Sequence, residues 1–308
     1  MVKADVIIPV YKPSEKFLRL LDMLQVQSQP INQIIVINTE KKYFDQLTAG
    51  TDFWQKYKEL RVEHITKEEY DHGGTRNLGV SLSKAPYFIM MTDDAVPADD
   101  QMAERLLAPF KEEKVGMTYA RQMPVKECGI IERYTRSFNY PNISCLKSVE
   151  NLKDMGIKAF FASNACAAYR RDVFDRLKGF AEGTIFNEDM IYARGLLNAG
   201  YQIAYSAEAK VVHSHNYSGI AQLKRNFDLG VSHADHPEVF AGLSTESEGI
   251  RLVKKTCAHL WNIKRPWLIF KLVWQSGCKY LGYFLGKRYK KLPVKLVKKI
   301  SMNQGYWK

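Results

Sequence analysis

Three apolar-rich runs, Val6–Val10 (VIIPV), Gln33–Asn38 (QIIVIN) and Tyr87–Met91 (YFIMM), most constrain what this chain can fold into. None alternates apolar with polar residues, so each reads as a strand buried on both faces. Pro9 is expected to stop the first strand, since it cannot donate to a ladder. Between the runs, Phe17, Leu18, Leu20, Leu21 and Leu24 recur at helical spacing behind Ser14 as a candidate N-cap. Arg61–Ile65 reads as a weaker strand, and Thr75–Ser83 as a short helix entered through a flexible Gly73-Gly74 turn. Strand–helix alternation with continuously apolar strands predicts an α/β fold: a Rossmann-like, mostly parallel sheet with helices on both faces. Ligands of such sheets bind beyond the carboxyl ends of the strands, where Pro9–Tyr11, Asn38–Glu40 and Thr92–Asp94 fall.

The later segments are less regular. Lys158–Ala168 and the stretch ending at Val211–His213 read as strands. Asp172–Lys178, Glu188–Asn198 and Ser218–Leu229 read as helices. We expect one main domain over 1–240, its first half at 1–97 reading as a nucleotide-binding layer and its second half at 98–240. A helical, aromatic and basic segment follows at 241–308. Of 308 residues 46% are hydrophobic and 25% charged, ordinary globular values. The net charge of +12 is uneven: residues 251–308 hold 15 Lys and Arg and no acid, leaving 30 basic against 33 acidic residues elsewhere. In that segment Trp261, Trp267, Trp274, Tyr280, Tyr283 and Phe284 are interleaved with Lys264, Arg265, Lys271, Lys279 and Lys287. The pattern predicts contact with an anionic membrane surface. A basic nucleic-acid-binding protein is the rival reading of the same charge, and we expect no nucleic-acid partner. No signal peptide or membrane-spanning run is read. Five scattered cysteines without a CxxC pair argue for reduced thiols in a cytoplasm.

Four short motifs can carry chemistry. Thr92-Asp93-Asp94 follows a buried strand directly, and adjacent carboxylates there suit a hard divalent cation that also takes substrate phosphates. The same residues also suit a turn with an Asp cap. Glu188-Asp189 opens a helix; it can supply a general base, or simply complement the helix dipole. His213-Ser214-His215 puts two imidazoles at a strand end, for a metal or a phosphate. Asp71–Asn77 (DHGGTRN) leads glycines into a helix whose first amides and Arg76 suit phosphate.

In combination these residues resemble the family-2 glycosyltransferases, over roughly residues 4–230. Val6–Tyr11 is similar to the family's opening strand. Gly74–Gly79 resembles its glycine–Arg–Asn helix, Met91–Pro97 its metal motif, Asn164–Arg171 the small-residue strand before an Arg-Arg pair, and Asn187–Asp189 its catalytic motif. The resemblance implies the GT-A fold and an inverting transfer from a nucleoside-diphosphate sugar. It implies Asp189 and Glu188 as catalytic residues, Asp189 being the base. Donor binding falls to Pro9, Tyr11, Asn38, Glu40, Gly74, Arg76, Asn77 and Asp93. Asp94, His213 and His215 would hold Mg²⁺ or Mn²⁺, and Asn164, Arg170 and Arg171 would face the acceptor. Within the family, Asp71–Asn77 and His213–Tyr217 resemble the rhamnosyltransferase branch. That branch implies dTDP-L-rhamnose as donor and a polyprenyl-linked bacterial surface glycan as acceptor, at the inner face of the cell membrane; a UDP-hexose donor is the alternative. Two positions depart from the family pattern: the second strand ends Asn38-Thr39-Glu40 instead of in aspartates, and Thr92 replaces the first acid of the metal motif.

Overall fold

The computed structural model describes residues 3–242 and 245–307. One sheet organises it: β1 (Ala4–Tyr11), β2 (Gln33–Thr39), β3 (Leu60–Ile65), β4 (Tyr87–Met91), β5 (Val96–Pro97), β6 (Val115–Met123), β7 (Cys145–Lys147), β8 (Cys166–Arg170) and β9 (Gln202–Val212). The strand order is β3-β2-β1-β4-β8-β6-β9-β5, with β7 also on β9. The β3-β2-β1-β4 half is parallel, as its apolar runs predict. In the remainder β6 and β9 also pair in parallel. β8 runs antiparallel to both β4 and β6, and β5 and β7 run antiparallel to β9, so the sheet is mixed.

Both faces are covered. Val6, Ile8 and Val10 pack with Phe17, Leu20 and Leu21 of α1 (Glu15–Gln25). Ile7, Ile35 and Ile37 point the other way, into a core with Val80 of α2 (His72–Leu82). Alternate residues of one strand thus serve two cores, which is why β1 and β2 show no polar alternation. Pro9 does not end β1, which runs on to Tyr11. Beyond Ile7 the strand pairs only with β2, where a missing amide hydrogen is tolerated.

Two other local expectations change. Gly73 and Gly74 lie inside the first turn of α2, with Asp71 as its N-cap. Within Lys158–Ala168 only Cys166 onward is strand; Phe160 is buried in the core, and Ser163 and Asn164 lie in a loop. Further helices are α3 (Ile130–Asn139), α4 (Glu188–Asn198), α5 (Gly219–Asp235), α6 (Thr245–Asn262), α7 (Leu268–Gly286) and α8 (Val294–Ile300). No helix among the described residues is long and apolar enough to cross a membrane.

The C-terminal helices pack against the sheet domain. A Cβ at Gly282 or Gly286 of α7 would lie 2.1 Å from the Leu223 or Phe227 carbonyl oxygen of α5, so glycine lets the two helices meet backbone to backbone. Val297 of α8 joins Ile185, Phe227 and Val231 in a small third core. Buried Asp228 then clasps the last turn, accepting from Ser301 Oγ at 2.7 Å and from the amides of Met302 and Asn303.

Candidate active site

The ends of β4 and β9 bring three side chains together. Asp94 follows β4, while His213 and His215 follow β9, whose partner β6 carries Gln122. His213 Nε2 lies 3.3 Å from Asp94 Oδ1, His215 Nε2 lies 3.5 Å from Asp94 Oδ2, and the two Nε2 atoms are 3.1 Å apart. His213 Nδ1 meets Gln122 Oε1 at 2.9 Å; donation to that amide oxygen leaves Nε2 to hold either a proton for Asp94 or a lone pair for a metal. Thr92 Oγ1 donates to Asp94 Oδ1 at 3.0 Å, a use for the residue that stands in place of the family's first acid. Burial works to raise the Asp94 carboxyl, but a protonated His213, through its hydrogen bond and charge, wins and holds it well below the usual carboxylate range. Burial and neighbouring His213 push His215 down to about 4, so it is a neutral imidazole near neutral pH. A carboxylate and two imidazoles, their donor atoms within 4.8 Å of one another, fit a divalent cation.

Asp93 faces the other side of this strand end. Its carboxyl is pushed up to about 7 by burial and by Asp94, opposed by an amide hydrogen bond from Tyr11. It thereby joins the end of β1, where Tyr11 is exposed and meets the Tyr43 ring edge-on at 5.6 Å. Pro9, two residues before Tyr11 in that strand, is partly buried.

Asn187 enters α4 in the left-handed conformation (φ 66°), turning Glu188 and Asp189 in different directions. Glu188 is buried: Arg76 Nε lies 3.2 Å from its Oε1, and Asn164 Nδ2 donates to the same oxygen at 3.0 Å. Asp189 is partly buried and accepts from the Asn164 amide at 3.0 Å and from its neighbour Met190 at 2.8 Å. Burial and the adjacent Glu188 charge push the Asp189 carboxyl upward, while Arg76 and His72 help keep Glu188 ionised against the cost of burying it. The pair therefore splits into a fixed anion inside and a protonatable carboxylate at the cleft.

Several expected contacts are occupied by the protein itself. Arg76, expected on phosphate, is buried against Glu188 and the His72 carbonyl. The Gly74 amide is taken by Asp71 Oδ1 at 2.6 Å. Asn77 bonds Phe180 through both amide and carbonyl groups and Glu182 besides, tying α2 to the segment before α4. Asn38 is fully buried, its Nδ2 at 3.0 Å from His64 Nδ1. Glu40 accepts from the Lys67 amide and pairs with Lys42. Asn164, expected at the acceptor, instead holds Glu188 and Asp189 in place. Arg170 and Arg171 lie at the opposite end of the sheet, because antiparallel β8 carries Cys166 beside Met91 but Arg170 beside Tyr87. Arg170 pairs with Asp172, and Arg171 donates to the Val80 and Ser83 carbonyls at the end of α2. Glu188 likewise has no open face toward a substrate.

Sequence reasoning passed over Gln122, Arg136 and Arg225. Gln122 stands alone in β6 without a motif. Arg136, from α3, pairs with Glu132 and also donates to Gln122 Oε1. Arg225, from α5, lies over the rings of Phe186 and Tyr217 at 4.7 and 5.8 Å.

The chain is 36% identical, over 99% of its length and 96% of the relative's, to the O-antigen chain rhamnosyltransferase RfbN of Salmonella typhimurium. It is 34% identical, over 100% of its length and 96% of the relative's, to the O-antigen chain rhamnosyltransferase WbaN of Salmonella anatum. Among solved structures, a Pyrobaculum calidifontis mannosyltransferase in complex with GDP-Man and Mn²⁺ superposes with a TM-score of 0.57 at 13% identity. It covers 99% of this chain and 84% of its own. S. aureus TarS 1–349 in complex with UDP-GlcNAc gives 0.53 at 12% identity, covering 94% and 92%. Residues 5–178 match the family described as Glycosyl transferase family 2, and with relatives this similar over their whole length the chain belongs to that family.

Proposed function

We propose that this glycosyltransferase moves L-rhamnose from dTDP-L-rhamnose to a hydroxyl of a growing surface polysaccharide, with inversion at the anomeric carbon. The observation that carries the chemistry is Asp189. It is a cleft carboxylate with a raised pKa, held by two amides and backed by an ionised carboxylate that cannot itself reach substrate. Such a group can accept the acceptor hydroxyl's proton as that oxygen attacks. The bond from the anomeric carbon to the diphosphate oxygen breaks on the opposite face, and a β-L-rhamnosyl donor gives an α-rhamnoside. The two amides fix the carboxylate's orientation, so the base does not reorganise at the moment of transfer. Asp94, His213 and His215 would hold the cation, and two imidazoles favour Mn²⁺ over Mg²⁺. When bound, it would neutralise charge on the departing diphosphate. Asp93 and Tyr11 would meet the nucleoside.

The donor assignment leans on the two relatives named as O-antigen chain rhamnosyltransferases. A lipid-linked acceptor and attachment to an anionic membrane are supported by α7. Its outward face exposes Trp267, Phe270, Trp274, Leu281 and Phe284 at helical spacing, with Lys264, Arg265, Lys271, Lys287 and Arg288 around them. The deciding experiment compares dTDP-L-rhamnose with UDP-glucose, UDP-galactose and UDP-N-acetylglucosamine in parallel. Faster turnover of dTDP-L-rhamnose is expected; a faster UDP-sugar would overturn the donor and leave the family untouched.

A further inference from the structure

Lys147 is a buried cation without an acid. It ends β7, opposite Ile203 of β9, and is only 4% exposed. Its Nζ donates to the Tyr119 hydroxyl at 2.6 Å and to the Phe161 carbonyl at 3.0 Å, and lies 4.7 Å from the centre of the Tyr119 ring. Among the described residues no carboxylate forms an ion pair with it. Burial, reinforced by Lys158 and opposed by Cys145, pushes its ammonium down to about 8. A methionine would fill the same space without the cost of burying a charge, so packing alone does not account for a lysine here.

The Phe161 carbonyl opens a short segment, 161–164, that reaches both halves of the site. Ser163 Oγ accepts from Gln122 Nε2 at 3.0 Å, and Gln122 is the partner of His213. Asn164 donates its amide to Asp189 at 3.0 Å and its side chain to Glu188 at 3.0 Å. Beyond the segment the chain is fixed by Ala165, whose carbonyl accepts from the Thr92 amide at 3.3 Å, and then by β8. At its start the Phe161 ring meets those of Tyr119 and Tyr140 edge-on, and Lys147 grips the backbone.

We propose that Lys147 is a positioning residue: through the Phe161 carbonyl it holds segment 161–164 where the Asn164 amide meets Asp189 and Ser163 meets Gln122. Its hydrogen bonds go to Tyr119 and Phe161, so it acts on the site through the backbone and not by its charge. The titratable groups that face Asp189 are Glu188 on its own helix, Arg76 of α2, Tyr169 of β8 and Tyr140 just after α3. An ammonium suits the task, because a hydrogen bond from a charged donor is about twice as strong as a neutral one and is directed at one oxygen, whereas packed rings can slide. The consequence for catalysis rests on the reading of Asp189 as the base; the placing of the segment does not.

The test is Lys147→Met in the full-length protein. The Asp189 carboxyl is titrated by carbon-13 NMR without metal, and turnover is measured with Mn²⁺ in excess. The Asn164 amide helps to lower the Asp189 carboxyl, so a segment that drifts away should let it rise. The Asp189 titration and the rising limb of kcat/KM should both move to higher pH. The kcat should fall about tenfold or more while the KM for donor stays nearly constant, as for a displaced catalytic group. The melting temperature should stay near that of wild type, since apolar volume replaces an unpaired buried charge. Lys147→Gln keeps an N–H donor on a shorter arm and should move each readout the same way by less; it decides the matter if Lys147→Met does not fold. A melting temperature that falls while the Asp189 titration stays in place would make Lys147 a packing residue and overturn the proposal, as would wild-type behaviour in every readout. If the titration moves but Asp189→Asn keeps wild-type turnover, Asp189 is not the base and the positioning role stands.

Discussion

His213 and Gln122 meet at 2.9 Å, imidazole Nδ1 to amide oxygen, across the parallel pairing of β6 and β9. The contact commits Nδ1 and leaves the other ring nitrogen of His213 to a metal or to Asp94. That nitrogen, Nε2, is the one 3.3 Å from Asp94. Gln122 is itself held by Ser163 Oγ, to which its Nε2 donates at 3.0 Å, and by Arg136. Gln122→Leu should therefore keep all three candidate ligands and still weaken Mn²⁺ binding, by about 10- to 100-fold as for other outer-shell partners of metal-bound histidine. Asp94→Ala should weaken it further and, with EDTA treatment, abolish transfer. Mn²⁺ titration followed by electron paramagnetic resonance reads both; unchanged affinity in Gln122→Leu would leave the ring orientation to packing alone.

Asp189 sets the expected pH dependence. A general base acts when deprotonated, and burial followed by the Glu188 charge raises this carboxyl to about 7. Activity as kcat/KM should then rise with pH through about 7 and level off above it, well alkaline of an ordinary carboxylate. Glu188→Gln removes the negative neighbour and should shift that limb to lower pH. Asp189→Asn should lower kcat by about 100-fold or more while donor affinity stays nearly constant, since the lost interaction operates in the transition state. Near-wild-type turnover in Asp189→Asn would remove it as the base.

What could be read from the sequence follows from what is local. Continuous apolar strands announce β1, β2 and β4, and a strand's end says where Asp94 stands before any contact is known. The helix start at Glu188 is equally local. Side-chain direction is not: Arg76 and Asn77 have the identities of ligand-binding residues, but α2 turns Arg76 into the interior and Asn77 onto the Phe180 backbone. Strand direction is not local either, and the reversal of β8 carries Arg170 and Arg171 away from the cleft. Gln122 and Arg225 reach the site only through strand pairing and the placing of α5.

The Arg76–Glu188 pair should matter for stability more than its one contact suggests. Both side chains are nearly inaccessible, at 9% and 6% exposure. Arg76→Met leaves an ionised carboxylate buried without its cation, which typically costs about 3–5 kcal/mol. The sign with pH follows from Glu188, whose pKa is depressed in the fold. Its stabilising contribution is present above the ordinary carboxylate pKa and is lost as pH falls through the depressed one. The gap between wild type and Arg76→Met should therefore narrow in acid. Urea denaturation at neutral and acidic pH measures this, and a gap that widened in acid would contradict the pairing.

Helix α7 gives the last prediction, because its two faces make separable demands. Its inner face meets α5 through Gly282 and Gly286 and cannot change without unseating the helix. Its outer face leaves Phe270 83% and Trp274 62% exposed, an apolar stripe that a folded chain gains nothing by showing to water. Basic residues flank the stripe, and each contributes on the order of 1 kcal/mol near an anionic bilayer. Anionic vesicles should retain the protein, neutral vesicles should retain less, and high salt should release part of it by screening. Phe270→Glu lies on the outer face, so it should cut vesicle binding without lowering the melting temperature or the turnover of a water-soluble acceptor. Loss of turnover on a lipid-linked acceptor alone would tie the stripe to substrate delivery. Equal failure to bind either vesicle type would leave the stripe without a membrane role, and retention on DNA of any sequence would return the basic segment to the nucleic-acid reading.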